Sequence, residues 1–516
     1  MNIYFCNIDL PRNFTGIEVA TINRANQFVE CLNIIPTILT VKYNHQLNER
    51  REELYKSGKL NSLVKILNMY EYFQEADDNN INFNVQPQSE INDFSNIVYK
   101  KVVGTENFKV FNKDGDFLFY YVCDDKGNLS HINYFKNKIV VKRDYYNSNK
   151  ILSKTQIINE HSQKIEKEIY YNKSGKVCMT CDYNNEQGFS IMNNIYLYNS
   201  IGLAQAHFNT EDDLIAYWID KLIEGEETSS IFVLDRIASY INPLKNTKSK
   251  NIKKVAVLHS SHIRGGKDVM KSPINPSMKP LFVDINSVDR IVTLTDTQRQ
   301  HLILRFGNES KYVTIPHALK KMSDIITFRK RKKNKLIYVA RLAPEKRHFD
   351  AINIISKVKE EIPDVELHLF GNGIEKKKIQ QLIETKGLQK NIILRGHIEN
   401  LEEEYLDSQI AILTSHIEGF SLFLLESLAH GCPIISYNID YGPADLIDNE
   451  KNGYLVPFAN SELFAQYIVN LLSNEILAAE YSYNSYLKSL NFSKENVMKK
   501  WKELINSLNL EEKMRC

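Results

Sequence analysis

The sequence predicts an α/β fold: two parallel-sheet halves facing a cleft, with an antiparallel β-meander inserted into the first half. Three observations carry this reading. The chain has 516 residues, more than one hydrophobic core organises, so two or three domains are expected. Toward both ends, short β-branched runs alternate with amphipathic helical stretches, the rhythm of strands covered by helices. Between about residues 90 and 205 that rhythm stops, and aromatic or β-branched residues alternate with polar ones between turn signals.

The opening reads strand, loop, helix, strand. "MNIYFCNI" is the first strand, "NFTG" the loop, "IEVATINRANQFVECL" an amphipathic helix and "PTILTV" the next strand. With no basic flank and no long apolar run, the N-terminal stretch is expected to be a strand and not a signal peptide. Residues 51–75 have a helical pattern. In the meander, "NKDG" (112–115), "DDKGN" (124–128) and "NKSG" (172–175) mark hairpin turns. The α/β rhythm resumes with "SIFVLDR" (230–236), "KKVAVLHSSH" (253–262), "VDRIVTL" and "YVTIPHAL". A second half starts at 335 with "KLIYVARL", followed by the strands "VELHLFGNG", "NIILRGH" and "IAILTS", with helices expected at 348–361, 374–386 and 400–408. "PIISYNIDYG", "GYLVPF" and a helical tail complete it. These runs divide the chain into a first α/β domain (1–80 and 210–325), the insertion (81–209), a second α/β domain (326–490) and a C-terminal helix (491–516) expected to pack back on the first domain.

Composition sets limits. Apolar residues make up 43% and charged residues 25%, as in ordinary soluble globular proteins. Sixty-five Lys and Arg stand against 63 Asp and Glu, and a net charge of +2 gives no global attraction for nucleic acid. No apolar stretch reaches the roughly eighteen residues of a membrane span. Seven scattered cysteines fit a reducing compartment, so a cytoplasmic location is expected. The basic run "RKRKKNK" (329–335) reads as a solvated linker; its sharper reading is contact with anionic lipid or a polyanionic acceptor, and so peripheral membrane association.

The densest chemistry lies in "SHIEGFSLFLLESLAHG" (415–431). Glu418 and Gly419 end a loop, and a helix is expected from near Ser421. Free N–H groups at a helix start attract anions, and glycine lets the backbone approach a ligand. Glu426 sits about a turn and a half into the helix, within an apolar run where an ionised carboxylate is costly without a partner. A carboxylate accepts two hydrogen bonds from a vicinal diol. The bland alternative makes Glu426 a helix-surface residue and Glu418 part of a cap. Upstream, "VARLAPEKR" sets Arg341 and Lys346 just after a strand, where a guanidinium fork and an ammonium suit a diphosphate. Surface Arg and Lys are common, so that pair alone says little.

Taken together, Arg341-x4-Lys346 followed by Glu418-x7-Glu426 resembles the E-x7-E retaining glycosyltransferases of family 4, which have the GT-B fold of two Rossmann-like domains. The resemblance covers residues 1–50 and 230–500. It implies that Glu418 contacts the donor sugar, Glu426 the ribose, and Arg341 with Lys346 the diphosphate. It further implies that Gly16 in "NFTGIE" approaches the phosphates, although Thr15 stands where many members have a second glycine. His259 matches the strand-end histidine beside the donor sugar, with His262 a weaker candidate. "FGNG" (370–373), "RGH" (395–397) and "HGCPIIS" (430–436) match the family as well. On this basis His397, Gly419, Phe420, Ser421 and Leu422 join the nucleotide-sugar site, and Glu418, His259, Arg341 and Lys346 form the catalytic set.

The reaction so implied is a retaining, metal-independent transfer of GlcNAc or glucose from a UDP-sugar, without a cofactor. Positive charge for the leaving diphosphate would come from Arg341, Lys346 and the helix N-terminus. Asp114-Gly-Asp116 is formally a metal-binding D-x-D, but it falls in a hairpin turn where Asp and Gly are expected anyway. Cys178 and Cys181 form a C-x-x-C with no second pair. Neither is expected to hold a metal.

The β-rich insertion, followed by "VAVLHSSHI", resembles one subgroup of that family. Its members modify wall teichoic acid, or attach GlcNAc or glucose to Ser-rich or Ser-Asp-repeat surface proteins. "NFTGIE", "MYEYFQEA" (69–76) and "VKRDYY" (141–146) look closer to the protein-modifying branch. The insertion is expected to bind the polymeric acceptor, a partner subunit or a second copy of the chain. A non-catalytic acceptor-binding subunit is the alternative from another class; retention of all four donor-site residues argues against it. A sugar phosphorylase on the same fold would want a lysine context for pyridoxal phosphate, which the sequence lacks.

Overall fold

The computed structural model of the chain describes residues 2–513 apart from 13, 76–96, 125, 186–189, 227, 266–267, 322–330 and 399. The expected start of the insertion (81–96), the first two residues of the basic run and 514–516 lie outside the described residues. The chain forms two compact units: Met1–Glu18 with Ile35–Lys253, and Val19–Ile34 with Lys254–Cys516.

The first unit opens with β1 (Ile3–Asn7), α1 (Gly16–Leu32, which runs on into the second unit), β2 (Thr37–Thr40), α2 (Leu47–Lys56), β3 (Lys65–Asn68) and α3 (Met69–Glu75). β1 is buried along its whole length, as a strand covered on both faces must be. The helix expected over 51–75 is not continuous. α2 stops at Ser57, Gly58 turns the chain at a φ of 66°, and "KILN" forms β3, parallel to β2. Four residues are too few to display a period, but Ile66 and Asn68 are buried in the sheet.

Among the described residues, β4–β13 (Ile97–Phe208) form a ten-stranded antiparallel sheet in which each strand pairs with its sequence neighbours. Its seat on α3 and α4 (Glu211–Leu222) is aromatic and polar. Tyr70 stacks on Tyr170 at 4.9 Å, its hydroxyl donates to Glu211 Oε1 at 3.1 Å, and Phe208 meets Tyr217 at 5.2 Å. A buried Lys154–Glu168 pair (2.9 Å) lies in the sheet, and Gln156, Tyr170 and Tyr183 donate to the same carboxylate. Full hydrogen bonding is what makes a buried ion pair tolerable. β14 (Ser230–Leu234) then pairs with β1 on the side opposite β2, and α5 (Ile237–Asn246) follows.

The second unit contains parallel strands β15 (Ile252–Val257, begun in the first unit), β16 (Arg290–Thr293) and β17 (Tyr312–Thr314), with α6 (Lys279–Val283) and α7 (Asp296–Phe306) between them. Its other sheet is built from β18 (Lys335–Val339), β19 (Glu366–Phe370), β20 (Ile392–Gly396), β21 (Ile410–Leu413), β22 (Ile434–Tyr437) and β23 (Gly453–Val456). The strand order is β20-β19-β18-β21-β22-β23, all parallel. Around it lie α8 (His348–Glu361), α9 (Lys376–Thr385), α10 (Glu402–Asp407), α11 (Leu422–Ala429), α12 (Pro443–Leu446), α13 (Ser461–Ser473) and α14 (Glu475–Ser489). Strand order reverses between β18 and β21, and the loops at the carboxyl ends of those two strands are where an open α/β sheet takes its ligand. The last helix, α15 (Lys494–Lys513), packs on α1: Trp501 meets Phe28 at 5.7 Å, and the Arg24 guanidinium lies 5.1 Å from its ring. No helix among the described residues is long and apolar enough to cross a membrane.

The described part of the basic run is only partly solvated: Lys332 and Lys333 are exposed, whereas Arg331 and Lys335 are built into the fold. Arg331 is buried, and its guanidinium donates to the carbonyls of Tyr405 (2.8 Å), Leu406 (3.2 Å), Ser408 (2.8 Å), His430 and Gly431 (2.8 Å). Lys332 pairs with Glu366, and buried Lys335 with Glu404 and Asp407. Carbonyls left unpaired at the ends of α10 and α11 attract cations, and here that attraction outweighs hydration of Arg331.

Candidate functional site

The loop after β18 carries Arg341 and Lys346, and its shape is fixed from below. The Tyr338 hydroxyl on β18 donates to the Lys346 carbonyl at 2.5 Å. The Thr414 hydroxyl, just past β21, donates to the Arg347 carbonyl at 3.0 Å, and the His416 N–H to the Glu345 carbonyl at 3.0 Å. The two loops at the switch point are thus tied together. That brings the Lys346 ammonium to 2.6 Å from Glu418 Oε1, with side-chain exposures of 17% and 10%. Arg341 stands outward, 67% exposed, with Glu345 at 2.7 Å.

Gly419 follows Glu418 for a steric reason. A Cβ there would lie 2.4 Å from the His259 carbonyl oxygen at the end of β15, so the loop rests on that backbone. The "FGNG" loop meets the same demand, since a Cβ on Gly373 would lie 2.3 Å from the Leu342 carbonyl oxygen. The His259 ring stacks on His317 (5.6 Å), and His317 meets Phe420 edge-on (5.7 Å). Phe420 itself is buried. Ser421 caps α11, its hydroxyl accepting from the Leu424 N–H at 3.5 Å. It does so at a φ of 79°, in the left-handed half of the map that serine seldom adopts. Leu422 opens the helix.

Within α11, Glu426 is partly buried and accepts a hydrogen bond from the Tyr405 hydroxyl at 2.6 Å through Oε2. Burial pushes its pKa up, while the Tyr405 hydroxyl and the Lys320 charge pull it down; the net direction is upward. His397, just past β20, is exposed.

Gly16 lies in the first unit as the first residue of α1. Thr15 precedes it. Its N–H donates to Glu18 Oε2 at 2.8 Å, its hydroxyl donates to the same oxygen, and Arg236 also pairs with Glu18. His262 is fully buried near Tyr441 and Phe282, and burial with the nearby Arg305 and His301 pushes its pKa down to about 4. Asp114 and Asp116 sit in a hairpin turn that Asn112 ties to Asp116 (2.9 Å). Among the described residues no group of three or more His, Cys, Asp or Glu is placed to hold a metal ion.

The structure therefore brings Lys346, Glu418, Gly419 and His259 into one contiguous set and adds His317 to it, while Tyr405 pairs with Glu426; neither His317 nor Tyr405 is among the residues expected from the sequence. His317 follows "YVTIP" at a strand end, the same signal that marked His259. Tyr405 carried no signal, because a tyrosine in "EEEYLD" reads as an ordinary helix anchor.

Comparison with known proteins adds the chemistry. Residues 322–488 match the family model for glycosyl transferases group 1. The chain is 26% identical to the poly(glycerol-phosphate) alpha-glucosyltransferase of Bacillus subtilis (strain 168), over 98% of this chain and 75% of that one. It is also 26% identical to the poly(ribitol-phosphate) alpha-N-acetylglucosaminyltransferase of Staphylococcus aureus (strain COL), over 97% of this chain and 98% of that one. Similarity to the GtfA subunit of the Streptococcus agalactiae UDP-N-acetylglucosamine–peptide N-acetylglucosaminyltransferase is 27% over 75% of this chain and 76% of that one. Among solved structures, TarM superposes with a TM-score of 0.85 at 25% identity, covering 98% of each chain.

Proposed function

We propose that this chain, a GT-B glycosyltransferase with a group 1 domain, is a UDP-sugar hexosyltransferase of the E-x7-E family 4 type. It moves GlcNAc or glucose to hydroxyls of a polymeric bacterial cell-surface acceptor, with retention and without a metal ion. One observation carries the reading. Lys346 and Glu418 meet at 2.6 Å where strand order reverses, inside the segment that matches the group 1 model.

The roles follow from charge and reach. Lys346, Arg341 and the N-terminus of α11 supply positive charge to a leaving diphosphate. A diphosphate carries more negative charge than one carboxylate and competes with Glu418 for the Lys346 ammonium. Glu418 is then left to accept from the donor sugar's hydroxyls, beside His259. Glu426 accepts from the ribose, and His397 completes the donor site. UDP leaves and the acceptor enters on one face of the sugar, and the leaving phosphate takes the acceptor's proton.

Two acceptor classes fit. A polyol-phosphate polymer is supported by likeness along nearly the whole chain to the poly(ribitol-phosphate) enzyme. Serine hydroxyls of a Ser-rich or Ser-Asp-repeat adhesin are supported by likeness to the GtfA subunit over three quarters of the chain. The insertion serves the acceptor, a partner subunit or a second copy. A polar cavity of about 220 Å³ between α2, α3 and the meander, lined by His45, Asn48, Arg51, Glu71, Asn149 and Lys173 among others, gives it a surface for a hydroxylated chain. The setting is the cytoplasm.

The test is to incubate the purified chain with labelled UDP-GlcNAc or UDP-glucose, with a polyol-phosphate polymer or a Ser-rich peptide, with and without EDTA. One donor is expected to be transferred as an α-linked hexose to one acceptor, with a rate that EDTA leaves unchanged. Absence of both transfer and donor hydrolysis would overturn the enzymatic reading. Loss with EDTA, restored by manganese or magnesium, would overturn the assignment of charge to Arg341 and Lys346.

A further inference from the structure

We propose that Tyr405 is a positioning residue of the donor site: its hydroxyl fixes one oxygen of Glu426 and turns the other toward the ribose. This rests on the reading that Glu426 receives the ribose.

The geometry is unusually determined for a side chain on a six-residue helix. The Tyr405 hydroxyl donates to Glu426 Oε2 at 2.6 Å, a length typical of a hydrogen bond to a charged oxygen. Among the described residues Oε1 makes no hydrogen bond, so the second oxygen is left to a ligand. The tyrosine ring is buried between Phe423 (6.2 Å) and His430 (5.1 Å), stacked on both. His430 Nδ1 in turn lies 2.7 Å from the Glu426 carbonyl. Arg331 closes the arrangement by donating to the carbonyls of Tyr405 on α10 and of His430 and Gly431 beyond α11. The two short helices are thereby held in register, and the Tyr405–Glu426 bond is where that register reaches the proposed site.

The electrostatics agree. Burial bears on the Glu426 carboxylate first, and two groups act against it: the Tyr405 hydroxyl from α10 and the Lys320 ammonium from the segment after β17. Burial favours the protonated acid; the hydroxyl and the ammonium favour the carboxylate. Burial and the neighbouring Glu426 hold the Tyr405 hydroxyl well above the usual tyrosine range, so it remains a donor at working pH. A carboxylate that must accept from a diol fails once protonated, so UDP binding is lost as pH falls through the Glu426 pKa. Removing the Tyr405 hydroxyl raises that pKa and moves the loss to higher pH.

The experiment is UDP calorimetry across a pH series on the full chain, with Tyr405→Phe, Glu426→Gln and the double variant. Tyr405→Phe is expected to weaken UDP binding about tenfold near neutral pH and to shift its acid limb upward. Glu426→Gln should weaken binding and abolish the limb, and the double variant should match Glu426→Gln alone. Site-specific 3,5-difluorotyrosine at position 405, a stronger donor on an unchanged ring, should shift the limb downward. It also keeps the question open to test if Tyr405→Phe does not fold. A merely structural tyrosine would change the thermal midpoint and leave the limb in place. If Glu426→Gln binds UDP like the parent, the ribose reading itself fails. If Glu426→Gln is weakened while neither Tyr405 variant moves the limb, the positioning role alone is overturned.

Discussion

Glu418 and Lys346 each stand beside the other's proposed ligand, so their substitutions should act in opposite directions. Glu418→Ala removes a negative charge 2.6 Å from the cation meant for the diphosphate. UDP affinity is expected to stay level or tighten, while transfer falls about ten- to a hundredfold, the worth of a hydrogen bond to a charged group. Lys346→Ala is expected to weaken UDP. Calorimetry with UDP alone, alongside transfer rates, separates the two; a folded Glu418→Ala protein that cannot bind UDP would require the roles of Glu418 and Glu426 to be exchanged. Lys346, Glu418, Gly419 and His259 were legible as a candidate set in the sequence because each falls in a loop that follows a strand or leads into a helix. Tyr405 and His317 were not, because what gives them meaning lies far along the chain: Glu426 for the first, His259 and Phe420 for the second.

Elements that signal themselves locally came through well. The helix expected at 348–361 is α8, end to end, because a long amphipathic period is a strong signal. β3 was lost in an expected helix, because a four-residue strand has no period of its own. The basic run was partly misread because a row of Lys and Arg defaults to solvent, and nothing local announces two helix ends waiting for a cation. That error leads to a prediction about α10 and α11. Both are short, six and eight residues, and short helices depend on their ends. Arg331 satisfies five carbonyls around those ends from a buried position. Arg331→Ala is expected to cost on the order of 3 kcal/mol in urea unfolding, since the buried carbonyls lose a charged donor and only those of Tyr405, Ser408 and Gly431 keep another partner. Arg331→Lys should recover only part, because one ammonium cannot reproduce the planar fork. A loss below about 1 kcal/mol for Arg331→Ala would show that the helix ends are satisfied without it.

At the scale of the whole molecule the open question is the meander, whose topology was legible from its turns but whose seat was not. The proposed donor residues lie outside Ile97–Phe208, so UDP binding should not require it. Among the described residues its outermost strands, β4 (Ile97–Lys101) and β13 (Ala204–Phe208), each pair with one neighbour, and a sheet edge is a ready surface for another chain. Val98 and Tyr99 on β4 are 43% and 50% exposed, and Lys100 and Lys101 follow them. The competing role is a lid that only stabilises the first unit, and the packing of Tyr170 and Phe208 on Tyr70 and Tyr217 gives that role substance. Replacing 97–208 with a short linker would expose those aromatics, so folding must be confirmed first, and a second variant that keeps the sheet is needed. Val98→Lys with Tyr99→Lys changes only the edge. Four quantities are then measured in both variants: donor hydrolysis, transfer to a short acceptor, transfer to a long acceptor, and mass in solution. Hydrolysis and short-acceptor transfer are expected to persist in both. The linker variant should lose long-acceptor transfer selectively or fall in mass, and the edge variant should share the fall in mass if β4 is the joining surface. Should the folded linker variant keep both its mass and its long-acceptor activity, the meander is a lid, and the acceptor must be held by the α/β loops alone.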